Sequence, residues 1–567
     1  MTSKLPIRVP RLVGFHAVQG LLLLLSAIFL VLHAFHLNAD FPNHSPWMDW
    51  SKYTDEGWYG DAAIRHFQRG HWYVPGDFNP AAALPVWPFL ESIVFHFTGV
   101  SAVAARALAV SIFALILLTS YALLARWQQI SGASRNSLAP AIAVLLLAVS
   151  PFCYAFTRMA ILEPLLILLT LLALLTASHL GPAERRTHGS LQRQLPSAPY
   201  PLVPSFLGLL FTLMVLTKTT AIFLLPAIAW LLWARAGYRL RPFLRLATPA
   251  AATAIATWLA YFLFVVRPHF LSDYRYLFSA NAYTGITPAT ALAIFSDTIV
   301  DGLWIGHLLY SLALLAVVLV LIDLRRYRTN PLIAALLFWV GGYIAFLAYH
   351  DNLQPRYYLV VAVPLTLLIP LVFETFWTPT PSSASPTQPR LRHPLAAAAL
   401  LAALVATVLL GAHQTLLYVR HPEYTFANAA AQIRAVIDAD RRKNPTHSSL
   451  VLSISGSNLS LMTGLPSICD DFGTMELPDR VQAYHPGWYV AWNQVEDDKM
   501  DALSPLYHLQ RVAAFPAMDD PERNLLILYR LDPPTTPAPH RLHHHRPIPQ
   551  LLQTSLGQQP SQTQLEH

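Results

Sequence analysis

Eleven apolar stretches recur along the chain, near 16–37, 100–125, 138–154, 160–180, 203–217, 220–234, 247–266, 303–322, 331–349, 357–376 and 395–418. Crossing the roughly 30 Å of bilayer hydrocarbon takes about 20 apolar residues, and lipid offers backbone polar groups no partner outside a helix or a closed barrel. The third, fifth and sixth stretches are short, as tilted or partly re-entrant helices would be. Only 12% of the 567 residues are charged, against about 25% in soluble domains. A soluble fold this poor in charge could not cover its surface. The expected architecture is an α-helical polytopic membrane protein of about eleven transmembrane helices.

The charges between these stretches assign an orientation. Lys4, Arg8 and Arg11 precede the first apolar run. No small-x-small cleavage site follows that run, so an uncleaved first span is expected rather than a signal peptide. With the N-terminus inside, the cytoplasmic loops carry Arg126 and Arg135; Arg185, Arg186 and Arg193; Arg235, Arg239, Arg241 and Arg245; Arg325, Arg326 and Arg328; then Arg390 and Arg392. The opposite loops hold most of the acids, among them Asp40, Asp49, Asp55, Glu56, Asp61, Asp77, Asp273 and Asp351. This is the positive-inside pattern. It also accounts for the net charge of +7 without a nucleic-acid partner. Multi-pass insertion in the cell inner (plasma) membrane is expected, with the C-terminus extracytoplasmic.

The division follows from composition. Residues 1–418 form a transmembrane domain whose first outside loop, 38–99, is long and rich in acids and aromatics. Residues 419–532 have the composition of a small soluble extracytoplasmic α/β domain. It has a helix over 425–440 and short strand-like runs at Leu450-Val-Leu-Ser-Ile, Trp488-Tyr-Val-Ala-Trp and Asn524-Leu-Leu-Ile-Leu-Tyr, each bounded by turn-forming residues. Residues 533–567, rich in Pro, His and Gln, are expected to be a disordered tail. Cys153 and Cys469 show no metal-type spacing; His543, His544 and His545 belong to the low-complexity tail. Paired Asp470 and Asp471 either touch substrate or cap a helix.

Chemistry concentrates at the membrane surface. Asp55 and Glu56 lie just beyond the first span. Such a pair either belongs to a solvated acidic loop or does chemistry there, a carboxylate being able to take a proton from an attacking hydroxyl and to suit an oxocarbenium-like centre. Arg158, Glu163, Lys218 and Arg356 fall at outer ends of spans under a topology that other residues set. Ionisable groups there either line a cavity or snorkel. Several converging on one face with Asp55 point to an anionic headgroup-level ligand, and Arg and Lys suit phosphate. Glu163 has three open roles: positioning an acceptor, binding a divalent cation, or pairing with Arg158. Trp58, Tyr59, Trp72, Tyr73 and Trp87 serve either as sugar-stacking surfaces or as an interfacial aromatic belt. His71 and His350 read as interfacial hydrogen-bonders rather than metal ligands.

Four motifs carry a resemblance. The first loop reads Asp55-Glu-Gly-Trp-Tyr-Gly-Asp-Ala-Ala-Ile-Arg, then Gly70-His-Trp-Tyr-Val-Pro, Leu84-Pro-Val-Trp-Pro and Gly99-Val-Ser-Ala-Val-Ala-Ala-Arg. Ser150-Pro-Phe-Cys-Tyr-Ala-Phe-Thr-Arg-Met-Ala-Ile-Leu-Glu-Pro, Leu216-Thr-Lys-Thr-Thr-Ala and Gln354-Pro-Arg-Tyr-Tyr-Leu follow in order. Together, over roughly residues 20–370, they resemble the C-type glycosyltransferase superfamily, in particular the bacterial branch similar to protein O-mannosyltransferases and the lipid A aminoarabinose transferase (glycosyltransferase family 39-like). The resemblance implies a polyprenyl-phosphate sugar donor and a catalytic first-loop acid, Asp55, with Glu56 second. Arg158, Lys218 and Arg356 would bind the donor phosphate. The aminoarabinose branch has an acidic–basic pair where this chain reads Asn79-Pro-Ala-Ala-Ala-Leu-Pro, so that branch's acceptor chemistry is not carried over.

The expected activity is therefore a glycosyltransferase, hexosyl or pentosyl, inverting or retaining, acting on a protein, lipid or glycan acceptor at the outer face. No cofactor is required, although a divalent cation has room in the scheme. A transporter or flippase of lipid-linked sugars would place its charges near the bilayer midplane, where this chain is apolar. A non-enzymatic membrane scaffold would have no use for Asp55.

Overall fold

The structure, a computed structural model, describes residues 10–42, 44–131, 137–180, 202–280, 286–327, 330–350, 354–377, 394–453, 456–521 and 523–534. The tail beyond 534 and the arginines of 185–193 and 390–392 lie outside the described residues.

Helix α1 (Pro10–His33) leads to α2 (Asp55–Arg69) and α3 (Val86–Thr98), which together fill much of the first loop, and then to α4 (Ala102–Ser131). Next come α5 (Ala139–Val149), the short α6 (Pro151–Phe156), α7 (Leu162–His179), α8 (Leu202–Thr217), α9 (Leu225–Arg235) and α10 (Leu240–Tyr261). A π-helical stretch, Phe262–Phe270, joins α10 to α11 (Leu271–Ala280). It contains Pro268, which has no N–H to give an α-helical ladder. Beyond it lie α12 (Ala291–Val300), α13 (His307–Ile322), the single turn α14 (Leu324–Tyr327), α15 (Pro331–His350), α16 (Leu359–Trp377) and α17 (Pro394–Arg420).

Each expected apolar stretch is helical. Among the described residues, seven helical segments are long and apolar enough to cross a membrane: Phe15–His33, Ala102–Ile130, Leu162–His179, Leu240–Ser279, Pro331–His350, Pro355–Phe376 and Pro394–Lys443. Four shorter ones, Ala139–Val149, Leu202–Thr217, Thr219–Arg235 and His307–Ile322, are apolar without that length. The third, fifth and sixth expected stretches are indeed among the short ones. Helices α7 and α16 are apolar all round and buried at the centre of the bundle. By contrast α1 turns Leu21, Leu24, Ile28 and Val31 outward. Outward leucines on a long apolar helix are what a lipid solvent requires.

The C-terminal region is an α/β module. It comprises α18 (Thr425–Lys443), β1 (Val451–Leu452), α19 (Gly456–Thr463), β2 (Ser467–Ile468), α20 (Leu477–Tyr484), β3 (Trp488–Trp492), α21 (Asp497–Leu503), β4 (His508–Pro516) and β5 (Leu525–Asp532). The sheet order is β2-β1-β3-β5-β4. β1 pairs in parallel with β2 and β3, while β5 runs antiparallel to β3 and β4. Phe426, Ile433 and Ile437 of α18 cover one face through Val451, Trp488, Val490 and Leu526. Val481 and Leu503 cover the other through Leu452, Ile468 and Tyr489.

This module is pinned to the first loop by buried charge. Asp40, just after α1, accepts from Thr425 Oγ1 at 2.7 Å and from the Phe426 backbone N–H at 3.1 Å, so it caps α18 from a distant part of the chain. Asp77 accepts the Cys469 N–H at 3.0 Å, pairs with Arg65 at 2.5 Å and lies 3.7 Å from Arg480. Asn79 accepts from Arg65 at 2.9 Å and donates to Asp273 at 2.9 Å, tying α11 to the same knot. Asn79 is thus a structural hub. Helix α2 closes this region at Gly70, whose φ of +75° is costly for any side-chain-bearing residue.

Removing one carboxylate from such a buried network leaves two guanidinium groups short of a partner, at about 3–5 kcal/mol. Asp77→Ala is therefore expected to loosen the C-terminal module. Trypsin should release it faster from the purified variant, while α1–α17 remain protected. An unchanged digestion course would refute this coupling.

Candidate active site

Asp55 is the first residue of α2 and is almost fully buried. Its Oδ2 lies 2.8 Å from Arg356 Nη2, and its Oδ1 accepts from Thr54 Oγ1 at 3.0 Å. Arg356 sits in a 3₁₀ turn, Pro355–Tyr358, that opens α16. Its Nη1 donates to Asp49 Oδ1, and its backbone N–H donates to Asp49 Oδ2 at 2.8 Å. Asp49 also accepts the Ser51 N–H at 2.8 Å, capping the turn that runs into α2. One guanidinium therefore bridges two first-loop carboxylates. Burial raises the Asp55 pKa above its ordinary value; Arg356 pulls it down, and Asp49 and Glu163 push it up.

Tyr357 extends the cluster. Arg356 stands 4.6 Å from its ring centroid and Lys218 stands 4.1 Å from it, so two cations share one aromatic face or edge. Lys218 precedes the 3₁₀ turn Thr219–Leu224, where α8 ends, and it pairs with Glu163 in the first turn of α7. Glu163 Oε2 is buried without a hydrogen-bond partner. Of the roles open to Glu163, the pairing with Arg158 is not what the structure adopts, because Lys218 takes that place. Tyr59, half-buried on α2, lies within electrostatic reach of Asp55, Arg356, Tyr357 and Glu163, and burial raises its pKa.

The other expected residues occupy a second, adjoining cluster. Glu56 makes a two-pronged pair with Arg106 of α4, at 2.8 Å from Nε to Oε1 and 2.6 Å from Nη2 to Oε2, and it accepts the Ala160 N–H at 3.0 Å. Arg106 Nη1 donates to the carbonyls of Leu37 and Ala39, at 2.9 and 2.5 Å. Arg158 Nη2 donates to the carbonyls of Phe35 and His36, both at 2.7 Å, where His36 takes a left-handed φ of +55°. The Arg158 guanidinium also lies 4.4 Å from the Tyr154 ring centroid. Glu56, Arg106 and Arg158 thus hold the turn after α1 against α4 and α7.

The first-loop aromatics divide likewise. Trp58 packs edge-on against Phe78 at 5.3 Å and against Phe472 of the C-terminal module at 5.2 Å. Trp87 is fully buried, Trp72 stacks on His66, and Tyr73 meets Phe270 edge-on. His71 is exposed, and His350 stacks on Phe346. Next to Phe472, Asp470 accepts from Tyr489 at 2.9 Å and lies 3.6 Å from Lys499; burial pushes its pKa up to about 6. Among the described residues, no three His, Cys, Asp or Glu side chains are placed to hold a metal ion.

Asp49 and Arg106 were not singled out from the sequence. Asp49 lies six positions before Asp55 and begins an Asp-x-Ser cap, the local signal that could have marked it. Nothing in the sequence pairs it with a residue more than 300 positions away.

No protein-family model and no curated protein matches the sequence. Solved structures do match it. The structure of ArnT from Cupriavidus metallidurans, bound to undecaprenyl phosphate, is similar with a TM-score of 0.51 at 14% identity, covering 90% of this chain and 98% of that one. The apo oligosaccharyltransferase of Archaeoglobus fulgidus is similar with a TM-score of 0.50 at 15% identity, covering 85% of this chain and 70% of that one. The chain thus shares its overall fold, the polytopic helical one expected from its apolar stretches, with both of these structures.

Proposed function

We propose that the chain is a multi-pass membrane glycosyltransferase that moves a sugar from a polyprenyl-phosphate donor to a hydroxyl acceptor at the outer face. The observation that carries this reading is the Asp49–Arg356–Asp55 bridge at one end of the bundle, with Lys218 beside it. ArnT, which has the same fold, was solved with undecaprenyl phosphate, and a lipid phosphate would reach this depth with its tail still in hydrocarbon.

In this reading Arg356 and Lys218 bind the donor phosphate, as delocalised and point charges respectively. The acceptor oxygen attacks the anomeric carbon, the carbon–oxygen bond to phosphate breaks, and its electron pair leaves on the phosphate. Asp55 takes the acceptor proton. A carboxylate whose pKa burial has raised is better suited to that task than an ordinary one. Tyr59 lies along the same helix face and lines the sugar's approach. Glu56 and Arg158, occupied by Arg106 and by the carbonyls of Phe35 and His36 just after α1, keep the loop in place around Asp55. Glu163 sets the position of Lys218. The arginine-rich loops assign the site's end of the bundle to the extracytoplasmic side.

Asp55→Asn is expected to lower transfer by about 10²–10⁴-fold, the range for loss of a general base. The measurement is turnover of a panel of polyprenyl-phosphate sugars by purified protein in proteoliposomes. Normal insertion with wild-type turnover would exclude Asp55 as the base.

The pH profile is a separate check. Asp55 must be ionised to accept a proton, and its pKa is raised, so activity should be present above that pKa and fall on acidification at a pH above the ordinary carboxylate range. An acid limb at or below that of a free carboxylate would contradict the burial argument.

A further inference from the structure

Asp49 and Asp55 both contact Arg356, but they are not equivalent. Asp49 accepts three bonds: the Arg356 guanidinium, the Arg356 backbone N–H at 2.8 Å and the Ser51 N–H at 2.8 Å. Its side chain is fully enclosed. Two of those bonds come from one residue, so its carboxylate fixes both the start of the Pro355–Tyr358 turn and the direction of the side chain that the turn carries. Asp55 has one hydroxyl and one guanidinium nitrogen as partners. A group that accepts a proton or turns toward substrate must exchange partners, and Asp55 has fewer to exchange.

Without Asp49, the Arg356 guanidinium would be free to follow Asp55 when Asp55 leaves the bridge. Arg356 has a long, rotamer-rich side chain with its Nε also buried and unpartnered. Holding that fork in one orientation is what makes arginine specific for phosphate oxygens rather than merely attractive to them.

We propose that Asp49 is a positioning residue for the donor phosphate: it anchors Arg356 so that the guanidinium stays aimed while Asp55 serves the reaction. This rests on the reading of Arg356 as a phosphate ligand. Asp49 itself touches no substrate. It acts through Arg356, and through Ser51 it also sets the turn that delivers Asp55 to the same place.

The test is binding of undecaprenyl phosphate to the full-length protein in lipid nanodiscs. Asp49→Asn keeps the shape and one acceptor but removes the charge. It should weaken binding by about tenfold, as loss of a charge-assisted hydrogen bond does. Arg356→Gln should weaken binding at least as much, and the Asp49→Asn/Arg356→Gln double variant should bind no more weakly than Arg356→Gln alone. Asp49→Glu, which retains the charge, should recover part of the loss. Wild-type affinity in Asp49→Asn beside a weakened Arg356→Gln overturns the role of Asp49 and leaves the donor reading standing. Additive losses in the double variant, or no recovery in Asp49→Glu, likewise overturn it, because Asp49 would then be acting other than through Arg356. Equal affinity of Arg356→Gln and wild type removes the donor reading itself, and this proposal with it.

Discussion

The organising constraint of this molecule is that its ionisable side chains at one end of a helical bundle are buried, and buried charge is tolerated only when paired and hydrogen-bonded. Arg356 between Asp49 and Asp55, Lys218 with Glu163, and Arg106 with Glu56 are each such a solution. Every one of these pairs joins segments far apart in sequence. They consequently fix where α4, α7, α8 and α16 meet the first loop, a task that apolar packing between uniformly greasy helices performs without comparable directionality. The same pairs that stabilise the helix ends therefore also assemble the candidate site.

A second consequence follows for the first loop. Helix α2 has the site at its N-terminus and the Asp61–Arg65–Asp77 knot further along. Asp55 at the first position of a helix sits among free backbone N–H groups, where a carboxylate is electrostatically favoured, yet its burial opposes ionisation. The knot at the other end is held by Arg480 and the Cys469 N–H of the C-terminal module. Tyr53, two residues before Asp55, donates to Asp520 at 2.7 Å, and its carbonyl accepts from Asn458 at 2.9 Å. The module thus grips the loop on both sides of Asp55, which makes it part of the framework that positions the site.

How far the sequence reveals this depends on the range of each interaction. Apolar periodicity is local, so the apolar helices were legible, as were the strand-like runs that became β1, β3 and β5. β2, of two residues, is too short to show a pattern, and β4 (His508–Pro516) is a mostly exposed edge strand whose first half carries His508, Gln510 and Arg511 rather than a buried run. Asp55, Lys218 and Arg356 could be gathered because topology alone placed them at one end. Partner choice could not. Glu163 has a basic residue five positions away in Arg158, yet it pairs with Lys218, 55 positions on. Five residues is more than a helical turn, and here Ile161, immediately before α7, is extended, so the two side chains diverge. Trp58 was read as a sugar-stacking surface or belt residue, and its contact with Phe472 of the C-terminal module was not legible from its local sequence.

The charge balance of the cluster has a mechanistic corollary. Asp49, Asp55 and Glu163 bring three negative charges when ionised, against two positive charges on Arg356 and Lys218. The site without a donor therefore carries a surplus carboxylate, and burial raises the pKa of Asp55 among them. A lipid phosphodiester entering the proposed site adds a further negative charge. In a medium of low effective dielectric, where like charges a few ångströms apart interact by several kcal/mol, that added charge raises the proton affinity of Asp55 further. Under the proposed function, a base beside the phosphate it serves would thus become stronger when the donor is bound and release its proton more readily once the lipid phosphate departs. Proton uptake and sugar transfer would in that reading be coupled through electrostatics, with Asp49 and Glu163 contributing the surplus negative charge.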